Sequence, residues 1–262
     1  MKQFILRQEP DKTGLVRLSG KDFHYLVRVR RVRQGATLNC RLPSGKTAVL
    51  RITGIGDGTL SAECAQIVEE SQQNEIPPII LFQSMAKGSK MDTIVRQAGE
   101  TGVKEIVPFY SKHSTPLPRC RAGAPVSVDA RTERWRRILI EARQQSGSSC
   151  PSSVRPPLGM DELFGYWEQI RTGREEVLAL LVHETPLAKC GFHGYLKTVP
   201  DLVVLAVGPE GGFSPAEALK FVDAGFKPVT LGNTILRTET AALYSIAVVR
   251  TLIFERLIWT MN

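Results

Sequence analysis

The chain has 262 residues, 42% of them apolar, with 34 Lys and Arg against 26 Asp and Glu and a formal net charge of +8. That balance suits a folded soluble protein of two domains, with a surface field that favours polyanions such as nucleic acid and, less specifically, an anionic membrane face. Cys40, Cys64, Cys120, Cys150 and Cys190 lie far apart without a C-x-x-C pair, which argues against a disulfide framework and a zinc site and fits a reducing cytoplasm.

The opening MKQFILRQEPDK breaks its apolar run too early for a signal peptide, and no stretch approaches the roughly 20 apolar residues that span a bilayer, so the chain reads as soluble and cytoplasmic. Short β-branched or alternating runs follow, LVRLSG, ATLNCRL, KTAVLRITG and GTLSAECAQIV, split by turns such as PSGK and GIGDG, as in a small antiparallel barrel. One helix interrupts them, beginning near Ser19 and carrying KDFHYLVRV. Residues 1 to 70 hold 12 Lys and Arg against 7 Asp and Glu, so most of the net charge is concentrated there. Arg28, Arg30, Arg31 and Arg33 lie within six residues beside His24 and Tyr25, offering phosphate contacts with an aromatic for stacking.

The polar run EESQQNEIPP, residues 69 to 78, reads as a linker between domains over 1–70 and 75–262. Beyond it strands and helices alternate: PIILFQS, a helix from SKMDTIVRQAGETG, KEIVPF, then a helix around DARTERWRRILIEARQQSG. This alternation predicts an α/β layer on a mostly parallel sheet. Ser89 and Asp92 suggest a capping box; Trp135, Ile138, Leu139 and Ala142 repeat at helical spacing, with Gly147 as a stop. VLALLVH and LVVLAVG read as further strands, the second buried on both faces. His183 and Glu184, at the end of the first, are placed either to line a pocket or to cap the strand; His113 and His193 carry no reading.

LVVLAVG runs into GPEGGF, and SPAE then starts a helix, with Ser214 as cap, Pro215 in the first turn and Glu217 closing the box. Gly208 to Gly212 therefore sit at the carboxyl end of a central strand, where open α/β sheets bind ligands. They either let a ligand lie on the main chain or merely satisfy a tight turn. About twenty residues on, KPVTLGN reads as a strand and turn, and TILRTETAALYSIAVVRTLIFERLIW as a long helix apolar on several faces, with Arg237 and Glu239 at its hinge. Such a helix packs on its own sheet and on a second subunit. Thr238 or Thr240 is an alternative cap for it. No metal cluster, G-x-G-x-x-G or P-loop is present.

GPEGGFSPAE followed by LGNTILRTETAAL resembles the paired carboxy-terminal motifs of the ribosomal RNA small subunit methyltransferase E family. HYLVRVRRVRQG, RQAGETGVKEIVPF and EARQQSG resemble further stretches of that family, so the likeness covers nearly the whole chain. One position departs: where the family pattern has a basic residue soon after QSG, this chain has Ser148. The resemblance implies a PUA-like β-barrel that binds RNA, followed by a SPOUT-type knotted α/β domain that dimerises. The activity it implies is S-adenosylmethionine-dependent methylation of uridine N3 in 16S rRNA of the small ribosomal subunit. A ribose 2′-O-methyltransferase of the same class, and a non-catalytic RNA-binding module, remain the alternatives.

On that reading the donor lies against Leu205, Val207, Gly208, Pro209, Glu210, Gly211, Gly212, Leu231, Gly232, Ile235 and Leu236, with Arg237 and Thr240 at the helix start. Uracil N3 must lose its proton to become a nucleophile, and the charge spreads onto O2 and O4. A cation beside them favours the transition state. Arg237 is the expected cation, and either Glu210 or Glu239 orients it or takes the proton.

Overall fold

The structure, a computed structural model, describes residues 4–68, 76–114, 128–183, 187 and 190–259. The run 69–75 of the expected linker, Cys120 and Glu184 lie outside the described residues. Two compact units divide the chain: Met1–Gln72 with Arg143–Pro151, and Gln73–Ala142 with Ser152–Asn262.

In the first unit, β1 (Phe4–Ile5), β2 (Leu15–Ser19), β3 (Thr37–Arg41), β4 (Thr47–Gly56) and β5 (Thr59–Val68) form a sheet in the order β1-β3-β4-β5-β2. Only β1 pairs parallel, Phe4 opposite Cys40; the other pairs are antiparallel, as the alternating runs predict. Ala48, Leu50 and Ile52 of β4 face a core shared with Leu18, Leu26 and Leu60. The helix expected after Ser19 is α1 (Gly20–His24), which widens into a π turn over Tyr25–Val29, with Arg30 N–H reaching the Tyr25 carbonyl at 2.9 Å. Buried Arg143 ties its own segment into this unit, donating from Nη2 to the Leu42 carbonyl at 3.5 Å, and within the segment from Nε to the Ser148 carbonyl at 3.2 Å and from Nη2 to that of Ser149 at 3.3 Å. Ser148, at the departing position, thus contributes main chain to a buried arginine.

The second unit has a six-stranded, all-parallel sheet in the order β11-β9-β10-β6-β7-β8. Its strands are β6 (Ile79–Ser84), β7 (Glu105–Phe109), β8 (Ser153–Val154), β9 (Val177–Val182), β10 (Leu202–Val207) and β11 (Lys227–Val229). Among the described residues, six helices accompany them: α2 (Lys90–Glu100), α3 (Val128–Ser146), α4 (Met160–Arg171), α5 (Phe192–Tyr195), α6 (Pro215–Asp223) and α7 (Thr238–Trp259). One core holds α2, α3 and α7, with Ile94, Trp135, Leu139, Ile246 and Val249 against Leu81 and Leu205. The other holds α4 and α6, with Leu163, Trp167 and Phe221 against Phe82 and Ala206. Every residue of β6 and β10 is buried, as the unbroken apolar run of β10 requires of a central strand.

Gly147 ends α3 at φ +73°, and Ser214 with Glu217 makes the expected capping box on α6. The expected box on α2 is absent: Asp92 instead accepts from Arg134 at 2.5 Å and from the Trp135 indole at 3.1 Å. An arginine and a buried indole outcompete a main-chain N–H for that carboxylate. Sequence reasoning missed α4, although Leu163 and Trp167 lie on one helical face and Gly159 N–H donates to Glu162 at 2.7 Å.

Candidate functional site

Parallel register brings the carboxyl ends of the central strands to one level: Val207 pairs with Gln83 and with Val182, and Val182 with Val229. The chain leaving β10 and the chain leaving β11 face each other there, and between them lies a cleft of about 420 Å³. Gly212 takes φ +66° and donates to the Pro209 carbonyl at 3.0 Å, closing the first loop as a tight turn. Gly211 is required for another reason: a Cβ on it would meet the His113 Cβ at 3.0 Å. His113 Nδ1 lies 3.1 Å from the Gly211 carbonyl and 3.3 Å from that of Gly212, so Nδ1 is the nitrogen that donates. The Lys112 N–H is also fastened from this side, to Glu217 at 2.7 Å.

The two loops are bolted together beneath the cleft. Thr238 donates its hydroxyl to the Gly208 carbonyl at 2.6 Å and accepts from the amide of fully buried Gln83 at 3.0 Å. Gln83 donates as well to the Ser84 carbonyl at 3.0 Å. Its signal in the sequence was one polar residue inside the apolar run PIILFQS. Thr238 is therefore not the cap suggested for α7; its hydroxyl joins the helix start to the glycine turn.

Of the expected donor-site residues, Val207, Gly208, Pro209, Glu210, Gly212, Leu231, Gly232, Ile235 and Leu236 line the cleft, and His183 joins them. Leu205, Gly211, Arg237 and Thr240 do not. Leu205 is buried in the core with α2 and α7, and Gly211 turns towards His113. Thr238 and Ala241, three residues apart on α7, present its cleft face, which leaves exposed Arg237 and Thr240 outside it. Sequence reasoning missed Val182, Phe213 and Ala241 as lining residues. They are apolar, and in sequence look like any core residue. The resulting surface suits a nucleoside: apolar walls for a base, main chain bared at Gly208, Gly212 and Gly232 for its polar edges, and one carboxylate, Glu210.

The expected partnership of Arg237 with Glu210 or Glu239 is not formed. Both carboxylates turn to Lys90, a residue the sequence did not single out, whose ammonium lies 3.1 Å from Glu210 and 3.5 Å from Glu239. Lys87 N–H donates to the same Glu210 oxygen at 3.0 Å. Burial works to raise the Glu210 carboxyl, but hydrogen bonds from its own N–H and that of Lys87, with the Lys90 ammonium, more than reverse this and hold it below the usual carboxylate range. Its hydrogen bond to Glu210 in turn raises Lys90, against a smaller opposing effect of burial.

In the first unit, His24, Arg28, Arg31 and Arg33 are exposed around the π turn, and Arg31 adopts φ +53°. Arg30 is half-buried, its Nη1 removed from solvent without a hydrogen bond. Tyr25, offered by the sequence as a base-stacking ring, instead lies parallel to Phe4 at 6.3 Å between ring centres, within the unit's core.

The family model described as an RNA methyltransferase domain matches residues 72–250, and that of an RNA methyltransferase PUA domain matches 18–63. The ribosomal RNA small subunit methyltransferase E of Synechocystis is 30% identical over 253 residues, covering 96% of this chain and 78% of its own. Its counterpart from Aquifex aeolicus is 32% identical over 237 residues, with 89% and 93% covered. Among solved structures, a ribosomal RNA small subunit methyltransferase E from Neisseria gonorrhoeae, bound to S-adenosyl methionine, matches with a TM-score of 0.77 at 30% identity, covering 96% of this chain and 98% of that one. With a PUA-like sheet ahead of a SPOUT-type α/β unit, and both glycine-turn and helix-hinge motifs meeting at one cleft, this chain belongs to the ribosomal RNA small subunit methyltransferase E family.

Proposed function

We propose that the protein methylates N3 of a uridine in 16S rRNA of the small ribosomal subunit, in the cytoplasm, with S-adenosylmethionine held in the cleft. The observation that carries this is the bolted pair of loops: a nucleoside-sized cleft with main chain bared at three glycines, in a chain of this family. S-adenosylmethionine supplies an electrophilic methyl group when bound there. Leu231, Leu236 and Ala241 wall the base, the main chain of Gly208, Gly212 and Gly232 meets its polar edges, and the apolar wall keeps water away.

Arg237 stands just outside the cleft, beside Leu236, and is the cation for uracil O2 and O4 as the N3 proton leaves. Of the two carboxylates only Glu210 lines the cleft, so it is the one placed to receive that proton. Its depressed proton affinity makes it a weak base, and the transfer therefore depends on Arg237 stabilising the uracil anion. RNA is held first by His24, Arg28, Arg30, Arg31 and Arg33. The segment after β11 is threaded as a trefoil knot, and two copies pack through the exposed side of α7, where Tyr244 and Phe254 are each 49% exposed.

The test is a transfer assay on small ribosomal subunits lacking the modification, with the product nucleoside identified by mass spectrometry. 3-Methyluridine is expected. A 2′-O-methyl nucleoside would overturn the base assignment, and no transfer at all would overturn the activity.

A further inference from the structure

A second cleft, of about 410 Å³, opens at the same edge of the sheet, between the Met85–Ser89 loop after β6 and the first half of α3. Its floor is apolar and buried: Met85, Ala86, Met91 and Trp135. Its rim carries the guanidinium groups of Arg131 and Arg134, three residues apart and so on one face of α3, both exposed to solvent. The nearby carboxylates already have partners. Asp92 accepts from Arg134 and from the Trp135 indole, Glu133 pairs with Arg136, and Glu210 and Glu239 share Lys90. Asp92 fixes where Arg134 stands while using a single corner of its fork of donors. Arg131 has no carboxylate partner among the described residues.

The two clefts share a wall. The Met85–Ser89 loop that borders the second cleft binds Glu210 of the first through Lys87 N–H, and Lys90 follows directly in α2. An RNA strand that brings its target base up to the first cleft therefore carries its neighbouring nucleotides past the second.

We propose that this second cleft is a subsite for the substrate RNA, taking a nucleotide next to the target, its base on the Met85 and Met91 floor and a phosphate on Arg131 and Arg134. The geometry matches both halves of such a ligand, and planar guanidinium groups suit the two-oxygen face of a phosphate. The inference rests on the reading that the protein methylates RNA, and extends RNA contact from the basic turn of the first unit to the catalytic one.

The test compares Arg131→Glu, Arg134→Gln and Arg131→Lys in the full-length protein, on small ribosomal subunits lacking the modification. In Arg131→Glu the KM for subunits should rise on the order of 10-fold with kcat nearly unchanged, and the slope of log affinity against log salt should fall by about one. Arg134→Gln should act in the same direction, and Arg131→Lys should restore most of the affinity, because it keeps the charge. S-adenosylmethionine affinity by calorimetry should match wild type in all three, which shows that the fold and the first cleft survive. Wild-type KM and salt slope in both Arg131→Glu and Arg134→Gln would overturn the subsite, and so would a fall in kcat alone. If wild-type protein transfers no methyl to RNA, the functional reading fails instead, and direct binding of subunits by wild type and Arg131→Glu across salt still decides the subsite.

Discussion

The cleft of the second unit and the arginine turn of the first are built on opposite plans. At the cleft, almost every polar group is committed: Thr238 to Gly208, Gln83 to Thr238 and Ser84, Glu210 to Lys87 and Lys90, and the Gly211 and Gly212 carbonyls to His113. At the turn, Arg28, Arg31 and Arg33 are exposed and hold no ion pair among the described residues. A small nucleoside is recognised by shape, which must exist before it arrives. A polyanion is attracted by charge, which long mobile side chains deliver from several positions. Substitutions should therefore act abruptly at the cleft and gradually at the turn.

The largest effect is expected where a side chain would need room that the turn lacks. Gly212→Val forces a β-branched residue to φ +66°, and Gly211→Val drives into His113, so each should cost about 1–3 kcal/mol in strain and weaken donor binding on the order of 100-fold. Calorimetry with S-adenosylmethionine measures this directly. Next comes Thr238→Val, which keeps the shape and removes the hydroxyl between Gly208 and Gln83. Taking from the Gly208 carbonyl its 2.6 Å donor and from the Gln83 amide one of its acceptors should cost about 1–3 kcal/mol of stability and roughly 10-fold in donor affinity. Near-wild-type values for Thr238→Val would mean that packing alone holds the loops, and the contrast between the two regions would lose its basis.

Lys90→Met should have a smaller effect than these, present at neutral pH and fading in acid. The folded Glu210 carboxyl lies below the usual range, so the stability it contributes is complete above about pH 4.3, the ordinary glutamate value, and is lost only as pH falls through the lower folded value. For Lys90 the sign reverses: its pKa is raised, so its contribution is complete below about pH 10.4 and is lost as pH climbs past the folded value. Removing the ammonium leaves Glu210 and Glu239 without their shared cation and lets the folded Glu210 value rise toward the ordinary one, so the neutral plateau of a thermal-unfolding profile should drop while its acid and alkaline limbs both flatten. An unchanged acid limb would show that the main-chain N–H groups alone hold Glu210 ionised.

These commitments were unevenly legible in the sequence. Strand β10 and the start of α6 could be read because local rules suffice: an unbroken apolar run, then Ser214, Pro215 and Glu217 in order. The meeting of the two loops was legible only through the resemblance, since Gly208 and Thr238 are thirty residues apart and are joined by one hydrogen bond. Lys90 was opaque for the same reason. Nothing in SKMD distinguishes a lysine on a helix surface from one that serves two carboxylates more than a hundred residues away, and the long reach of parallel register brings them together. Asp92 was misread because the local capping pattern is strong, while its true partners, Arg134 and Trp135, belong to another helix. Tyr25 was misread because neither its exposure nor its stacking on Phe4 leaves a trace beside a run of arginines.

The mildest effects belong to the turn, and they distinguish its arginines from one another. Arg28→Ala, Arg31→Ala and Arg33→Ala should each lower the slope of log RNA affinity against log salt by about one, with losses of a few-fold at physiological salt that multiply when combined, and with donor binding untouched. Additivity is expected because exposed side chains share no partners. Arg30→Ala should stand apart: with Nη1 already out of solvent and unsatisfied, that side chain is partly packed into the unit, so its removal should shift thermal stability as well as RNA affinity. Should Arg31→Ala abolish RNA binding outright while its neighbours do nothing, the turn would be a shaped site after all, with φ +53° at Arg31 as its pivot, and the two regions would differ in ligand rather than in plan.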